Sequence, residues 1–226
     1  FSKLANIENV NIEGMLNGEL RVIDPFDNLH YTADLRIPDM SLNDESVGAL
    51  KIDLEQRLDS KSINVKVLLE GEQNKFKIAG DYNVETTQYD VTADISSLQL
   101  RLIDPFVVGL FGESKGTVNG EISLNGTPDQ PKIIGILNLD KISSVIDFSK
   151  TRYLINKGQI KITNQEINLG TLTLNDRRDN SAMLSGKITH DFFSNLKLDL
   201  NVSTNRFTFL NTQSTDNELL YGELFL

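Results

Sequence analysis

The 226-residue sequence has no cysteine and no tryptophan, and it holds only two histidines and five prolines. The absence of cysteine excludes disulfides and thiolate metal sites, and it fits either a reducing compartment or a cysteine-avoiding envelope protein. Basic residues are also in deficit: 22 Lys and Arg stand against 32 Asp and Glu, a net charge of -10. That balance argues against nucleic acid, whose phosphates are bound by clustered cations that release counterions. Electrostatic docking on an anionic membrane surface is disfavoured for the same reason. No apolar run approaches the roughly 20 residues a transmembrane helix needs. The chain begins at Phe1 and ends in Leu220 to Leu226, which reads as the start of another strand. It is therefore expected to be a fragment, residues 1–226, of a longer repetitive β-sheet protein whose membrane anchor lies outside it.

Recognisable chemistry is equally sparse. There is no Walker loop, dinucleotide fingerprint, zinc spacing or EF-hand loop. His30 and His190 read as surface histidines; His190 has Asp191 beside it but no third partner for a catalytic or metal constellation. Asp24 and Asp104, each followed by Pro-Phe, read as turn or cap residues. The remaining carboxylates fall on outward strand positions or in turns, so no acid/base pair stands out. No catalytic residue, metal or cofactor is expected, and the chain does not read as an enzyme.

What the sequence does have is alternation. Apolar side chains make up 39% of the chain, and they recur at every second position, the mark of strands with one apolar and one polar face. Ile63/Val65/Val67, Val91/Ala93/Ile95, Ile122/Leu124, Ile160/Ile162, Ile167/Leu169, Leu172/Leu174, Leu184/Ile188, Leu196/Leu198/Leu200/Val202 and Phe207/Phe209 all follow this pattern. Turn chemistry separates the runs at Asn17-Gly18, Glu70 to Asn74, Gly80-Asp81, Asn125 to Pro131, Lys157-Gly158 and Asp176 to Asn180, as in a meander of hairpins. One helix is expected after an Asp104 cap, with Pro105 in its first turn and Phe106 to Phe111 supplying the apolar residues. A second, shorter one is expected around Ser46 to Leu50. Gly14 to Leu20 is echoed by Gly116 to Ile122, and Ile23-Asp24-Pro25-Phe26 by Ile103 to Phe106, at unequal offsets. The pattern is a loosely repetitive sheet rather than a strict solenoid. Residues 1–112 and 113–226 are candidate sub-units of one continuous sheet.

About sixteen amphipathic strands with little helix leave an apolar face that something must cover. A sandwich, a small barrel, or a trough lined for an apolar ligand would each do so. The face is rich in Ile, Leu and Val and has no Trp, which makes it a smooth aliphatic lining. The same residues would also make an ordinary core.

From about residue 98 onward the order of motifs resembles the C-terminal region of the TamB family within the AsmA-like superfamily. It runs through Leu100 to Phe106, Gly116 to Gly120, Gly126 to Pro131 leading into Gly135 to Leu137, Tyr153 to Ile160 around Gly158, Leu172 to Asp176, Ala182 to His190, and Leu220 to Gly222. One departure is Asp179, where the family turn usually carries a glycine; Asp tolerates left-handed geometry better than most residues. The resemblance implies an all-β fold: an elongated, curled antiparallel sheet, a β-taco-like trough with an apolar groove and at most one or two short helices. It implies a periplasmic location in a two-membrane bacterium, with the whole protein anchored in the inner membrane, and a bridge that conducts phospholipid and supports outer-membrane biogenesis. The implied partners are phospholipid acyl chains and an outer-membrane barrel resembling TamA.

The groove-lining residues expected on this reading are Ile63, Val65, Val67, Val91, Ile122, Leu124, Leu137, Leu139, Ile160, Ile162, Leu172, Leu174, Leu184, Ile188, Leu198 and Leu200. Two other functions fit the same pattern: a module that binds outer-membrane barrel precursors by lending its sheet edge, and a structural sandwich with a filled core.

Overall fold

A computed structural model describes residues 10–24, 30–56, 61–191, 194–216 and 221–226. Pro25, Phe26 and Leu220, which entered the reading above, lie outside the described residues. The fold is all-β. Its strands are β1 (Ile12–Glu13), β2 (Asn17–Ile23), β3 (His30–Leu42), β4 (Glu45–Gln56), β5 (Ser62–Glu70), β6 (Lys75–Asn83), β7 (Tyr89–Gln99) and β8 (Phe111–Thr127). There follow β9 (Gln130–Ile146), β10 (Thr151–Ile162), β11 (Glu166–Asn175), β12 (Ser181–Asp191), β13 (Ser194–Thr204), β14 (Thr208–Thr212) and β15 (Gly222–Phe225). From β3 to β13, sheet neighbours are sequence neighbours, and the ends of that order do not pair with each other, so the sheet is open rather than a closed barrel. The pairings are antiparallel, as short turns between successive strands require.

The chain forms two compact units. Unit 1 comprises residues 1–98 and 120–135, and unit 2 comprises 99–119 and 136–226. In unit 1 the sheet runs β1-β3-β4-β5-β6-β7, with β2 also on β3. In unit 2 it runs through β10-β11-β12-β13, and β14 and β15 form a separate two-stranded sheet. The 112/113 junction falls inside β8.

Several local expectations are corrected. The stretch Asp104 to Phe111 is not an α-helix but a 3-10 turn at Asp104–Phe106, preceded by another at Leu100–Leu102. Helical geometry ends at Val107, whose φ of −124° lies outside the helical range; Gly109 follows at φ +87°, and Phe111 already begins β8. Asp104 does not cap the turn; its Oδ2 accepts the Ser114 backbone N–H at 2.8 Å. Ser46 to Leu50 is strand, because Leu50 is held between Ile37 of β3 and Leu69 of β5, and such pairing overrides weak local propensity.

Asn17-Gly18, Gly80-Asp81 and Lys157-Gly158 are not turns but lie inside β2, β6 and β10. The glycine at 80 answers to close approach: a Cβ there would sit 2.1 Å from the Asp90 carbonyl oxygen across the ladder. His190 is buried rather than on the surface, near the end of β12, where its backbone N–H donates to the Gln165 carbonyl at 2.9 Å. Asp179 has φ +59°, the left-handed geometry its position demands.

Candidate functional site

In unit 1 the registers align apolar side chains into rows that cross the sheet. Residues directly opposite on antiparallel strands point to the same face. One row is Leu20, Ala33, Leu54, Val65, Gly80 and Val91 from β2 to β7. A second runs Leu35, Ile52, Val67, Ile78 and Ala93, and a third Ile37, Leu50, Leu69, Phe76 and Ile95. Ile63 stands in a fourth with Tyr82 and Tyr89.

The intervening positions form the polar face, where Glu19, Asp34, Asp53 and Lys66 stand in line. There Arg36 and Lys51 pair with Asp34 and Asp53 at 3.0 and 2.9 Å. Exposed pairs like these add little stability. Of the residues in the three apolar rows only Ala33 and Leu69 are buried; the β4 to β7 members around them are half-buried, and Leu20 at the β2 edge is exposed. Unit 1 thus presents a broad aliphatic face that its described residues leave only half-buried.

Unit 2 solves the same problem differently. Leu172, Leu184 and Val202 form one row across β11, β12 and β13; Leu174, Ala182 and Thr204 form the next. Leu184, Val202 and Leu174 of these rows line an apolar cavity of about 360 Å³. Its lining comes from β8 to β14: Phe111, Leu139, Ile142, Ser144, Ile146, Tyr153, Ile155, Ile160, Leu174, Leu184, Leu200, Val202 and Phe209, with Leu100 and Phe207 from the segments between strands. The six adjacent strands β8 to β13 of a flat sheet would span roughly 24 Å at the usual strand spacing, too far to line one cavity of this size. The sheet of unit 2 is therefore curled.

The cavity is walled on one side by the segment Phe207 to Phe209, and a set of buried polar contacts fixes that segment in place. Asp176 is only 1% exposed. Its Oδ1 accepts the backbone N–H groups of Arg178 and Asn180 at 2.8 and 2.9 Å. Its Oδ2 accepts the Asn180 side-chain amide at 3.0 Å, and the Thr208 N–H and hydroxyl at 3.0 and 2.9 Å. One carboxylate thus closes the β11–β12 turn and ties it to β14. Burial by itself would raise its pKa, but the hydrogen bonds from Asn180 and Thr208 outweigh that and hold the carboxyl well below the ordinary aspartate value.

Tyr153 of β10 stacks on Phe207 with ring centroids 5.1 Å apart, and its hydroxyl donates toward the Thr208 and Phe209 carbonyls at 3.2 and 3.0 Å. Burial pushes the Tyr153 hydroxyl up, so it stays a donor. Outside this set, Arg178 pairs with Glu223 at 2.7 Å and lies over the Phe225 ring.

The expected lining residues divide between the units. Ile63, Val65, Val67 and Val91 lie in the rows of unit 1, and Ile122 and Leu124 on the part of β8 belonging to that unit. Leu139, Ile160, Leu174, Leu184 and Leu200 meet at the cavity of unit 2. Leu172, though buried, is not in its lining, and neither is half-buried Leu137. Ile162 and Ile188 align with Ile167 and Leu198 in a separate row, and Leu198 is 68% exposed at the outer strand. The sequence reading missed Asp176, Tyr153, Ile142 and Ile155. Only Asp176 left a signal, as the first residue of a turn rich in Asx side chains.

Among the described residues no group of three or more His, Asp or Glu is placed to hold a metal, and no helix is long and apolar enough to cross a membrane. No protein-family model, curated protein or solved structure matches the chain.

Proposed function

We propose that this chain is a non-enzymatic lipid conduit, a segment over which phospholipid acyl chains slide on an aliphatic face while headgroups stay in water. The observation that carries the reading is the apolar face of unit 1, where Ile52, Val65, Val67, Ile78 and Val91 are aligned over adjacent strands and left only half-buried by the described residues. An apolar patch of this breadth is uncommon on a protein that works alone in water. The driving force is hydrophobic, roughly 0.8 kcal/mol per methylene removed from water. It is spread over many equivalent contacts, which lets a chain move without meeting a deep trap. The resemblance to the TamB family adds the setting: the periplasm, an inner-membrane anchor elsewhere in the protein, a barrel partner resembling TamA, and a role in outer-membrane biogenesis.

The test is mass spectrometry of organic extracts from the purified protein and from a Val67→Asp variant. Phospholipid in the parent and its depletion in a variant with an unchanged circular dichroism spectrum are expected. A stable, monodisperse parent that carries no lipid would sink the conduit.

A second reading has its own observation. Strand β13 ends the sheet order, and its Leu196 and Leu198 are exposed. Such an edge can add a strand from a partner such as an unfolded outer-membrane barrel. Leu198→Lys should then abolish capture of a barrel precursor while leaving lipid recovery intact.

A further inference from the structure

We infer that the cavity of unit 2 is a discrete seat for a single acyl chain, taking a monoacyl amphiphile rather than a two-chain phospholipid. The inference rests on the acyl-chain reading above and assigns this unit a ligand of its own. Size sets the first limit. The cavity holds about 360 Å³, a little over twice the roughly 150 Å³ that accommodates one six-carbon ring, so it takes on the order of a dozen carbons. That is one chain. Two chains of that length would need about double the space.

Polarity sets the second limit. Among the described residues, the only polar side-chain atoms in the lining are the hydroxyls of Ser144 and Tyr153. Ser144 already donates to the Gly112 carbonyl at 3.1 Å and shares a hydrogen bond with Ser114 at 2.9 Å. Tyr153 is committed to the carbonyls of Thr208 and Phe209. No hydroxyl remains to hold a headgroup, so the site selects for the chain and leaves the head outside.

The way in is fixed by unequal burial around the lining. Phe207 and Leu174 are 1% and 8% exposed, whereas Leu200 and Val202 on β13 are 42% and 37% exposed. The chain therefore enters beside β13, and its tip meets the aromatic wall built by Phe207. That wall gives the seat a finite depth, which an open groove does not have.

The experiment is a calorimetric titration of the parent protein with monoacyl phosphocholines of increasing chain length, each below its micelle concentration. Two-chain phosphatidylcholine vesicles form the comparison arm. One equivalent is expected to bind, with affinity rising about fourfold per added methylene up to about a dozen carbons and flat beyond. Val202→Phe and Leu200→Trp, which fill the mouth, should each weaken binding tenfold or more with an unchanged melting temperature, while Val67→Asp should leave the titration unaltered.

Affinity that keeps rising with length, binding that survives both filled variants while they remain folded, or a requirement for two chains would each overturn the seat. A plateau in the titration with no phospholipid in the extracts would leave the seat standing and remove the conduit. Phospholipid in the extracts with no plateau would do the reverse.

Discussion

Units 1 and 2 are written in the same alternating code and end in different states. Among the described residues, unit 1 buries three apolar side chains, Ala33, Val47 and Leu69, whereas unit 2 buries nine, from Leu102 to Leu210. The strands of both have one apolar face. The difference lies in what is added to the sheet. Unit 2 has the Phe207 to Phe209 segment, pinned by Asp176 and Tyr153, and its strands curl to meet that wall. Unit 1 has no such wall among its described residues, and its rows stay half-exposed. The lesson is that a short anchored segment, not the composition of the strands, decides whether an amphipathic sheet becomes a core or an open surface.

The sharpest way to break this comparison is to put the same charge into both faces. Leu174→Asp places an unpaired carboxylate among buried neighbours in unit 2 and is expected to cost about 4 kcal/mol. Val67→Asp meets a half-exposed face where the charge can hydrate, and about 1 kcal/mol is expected. Urea melts followed by circular dichroism measure both. Equal losses would mean that unit 1 has a filled core after all.

Next in size is the anchor itself. Asp176→Asn keeps the shape but turns one acceptor into a donor, which then faces donor groups of Asn180 or Thr208. A loss of about 3 kcal/mol is expected, as for a buried polar cluster left partly unsatisfied. Hydrogen exchange should localise it to β11, β12 and β14. The same carboxylate makes unit 2 the acid-sensitive half. Because its folded pKa is depressed, its contribution is fully present above the ordinary aspartate value of 3.8 and is lost progressively as pH falls below it. Protection against exchange in β14, relative to the intrinsic rate, should therefore fall below about pH 4, ahead of β5 and β6 in unit 1, and Asp176→Asn should remove that difference.

The strands were legible because period-two alternation is a local signal that survives in tertiary structure, and Val65, Leu174 and Leu184 all lie on the apolar faces that alternation assigned to them. The register was not legible, so nothing in the sequence separated Leu198, exposed on β13, from Leu200, which lines the cavity two residues on. Glycine misled for a physical reason. Asn17-Gly18 and Gly80-Asp81 carry turn chemistry, but at Gly80 the missing side chain serves the close approach of β7 rather than a reversal of the chain. The cavity wall was hidden because it depends on Asp176 and Thr208, which are 32 residues apart and carry no pattern that links them.

Tyr153→Phe comes third. It keeps the stack on Phe207 and removes only the hydroxyl's bonds to two carbonyls, for which about 1 kcal/mol is expected. Its effect on the seat is informative in a second way. If the aromatic wall stays in place without the hydroxyl, the length of chain at which monoacyl affinity levels off should not change. A shift of that plateau to longer chains would show that the hydroxyl, more than the Asp176 carboxylate, keeps the wall closed.

The smallest expected effect separates the buried anchor from its rim. Arg178 donates its backbone N–H to Asp176 while its guanidinium reaches Glu223 and the Phe225 ring on the outside of the hairpin. Arg178→Ala keeps the first contact and deletes the others. Because the ion pair is half-exposed, it is worth about 0.5 kcal/mol, and the cation–ring contact is of similar size at an exposed site. The expected total is therefore about 1 kcal/mol or less, diminished further by salt, with faster exchange in β15 and none in β12. A loss matching that of Asp176→Asn would move the hairpin's hold from the buried carboxylate to its charged rim. The contrast between a pinned unit 2 and an open unit 1 would then rest on a surface ion pair that high salt should erase.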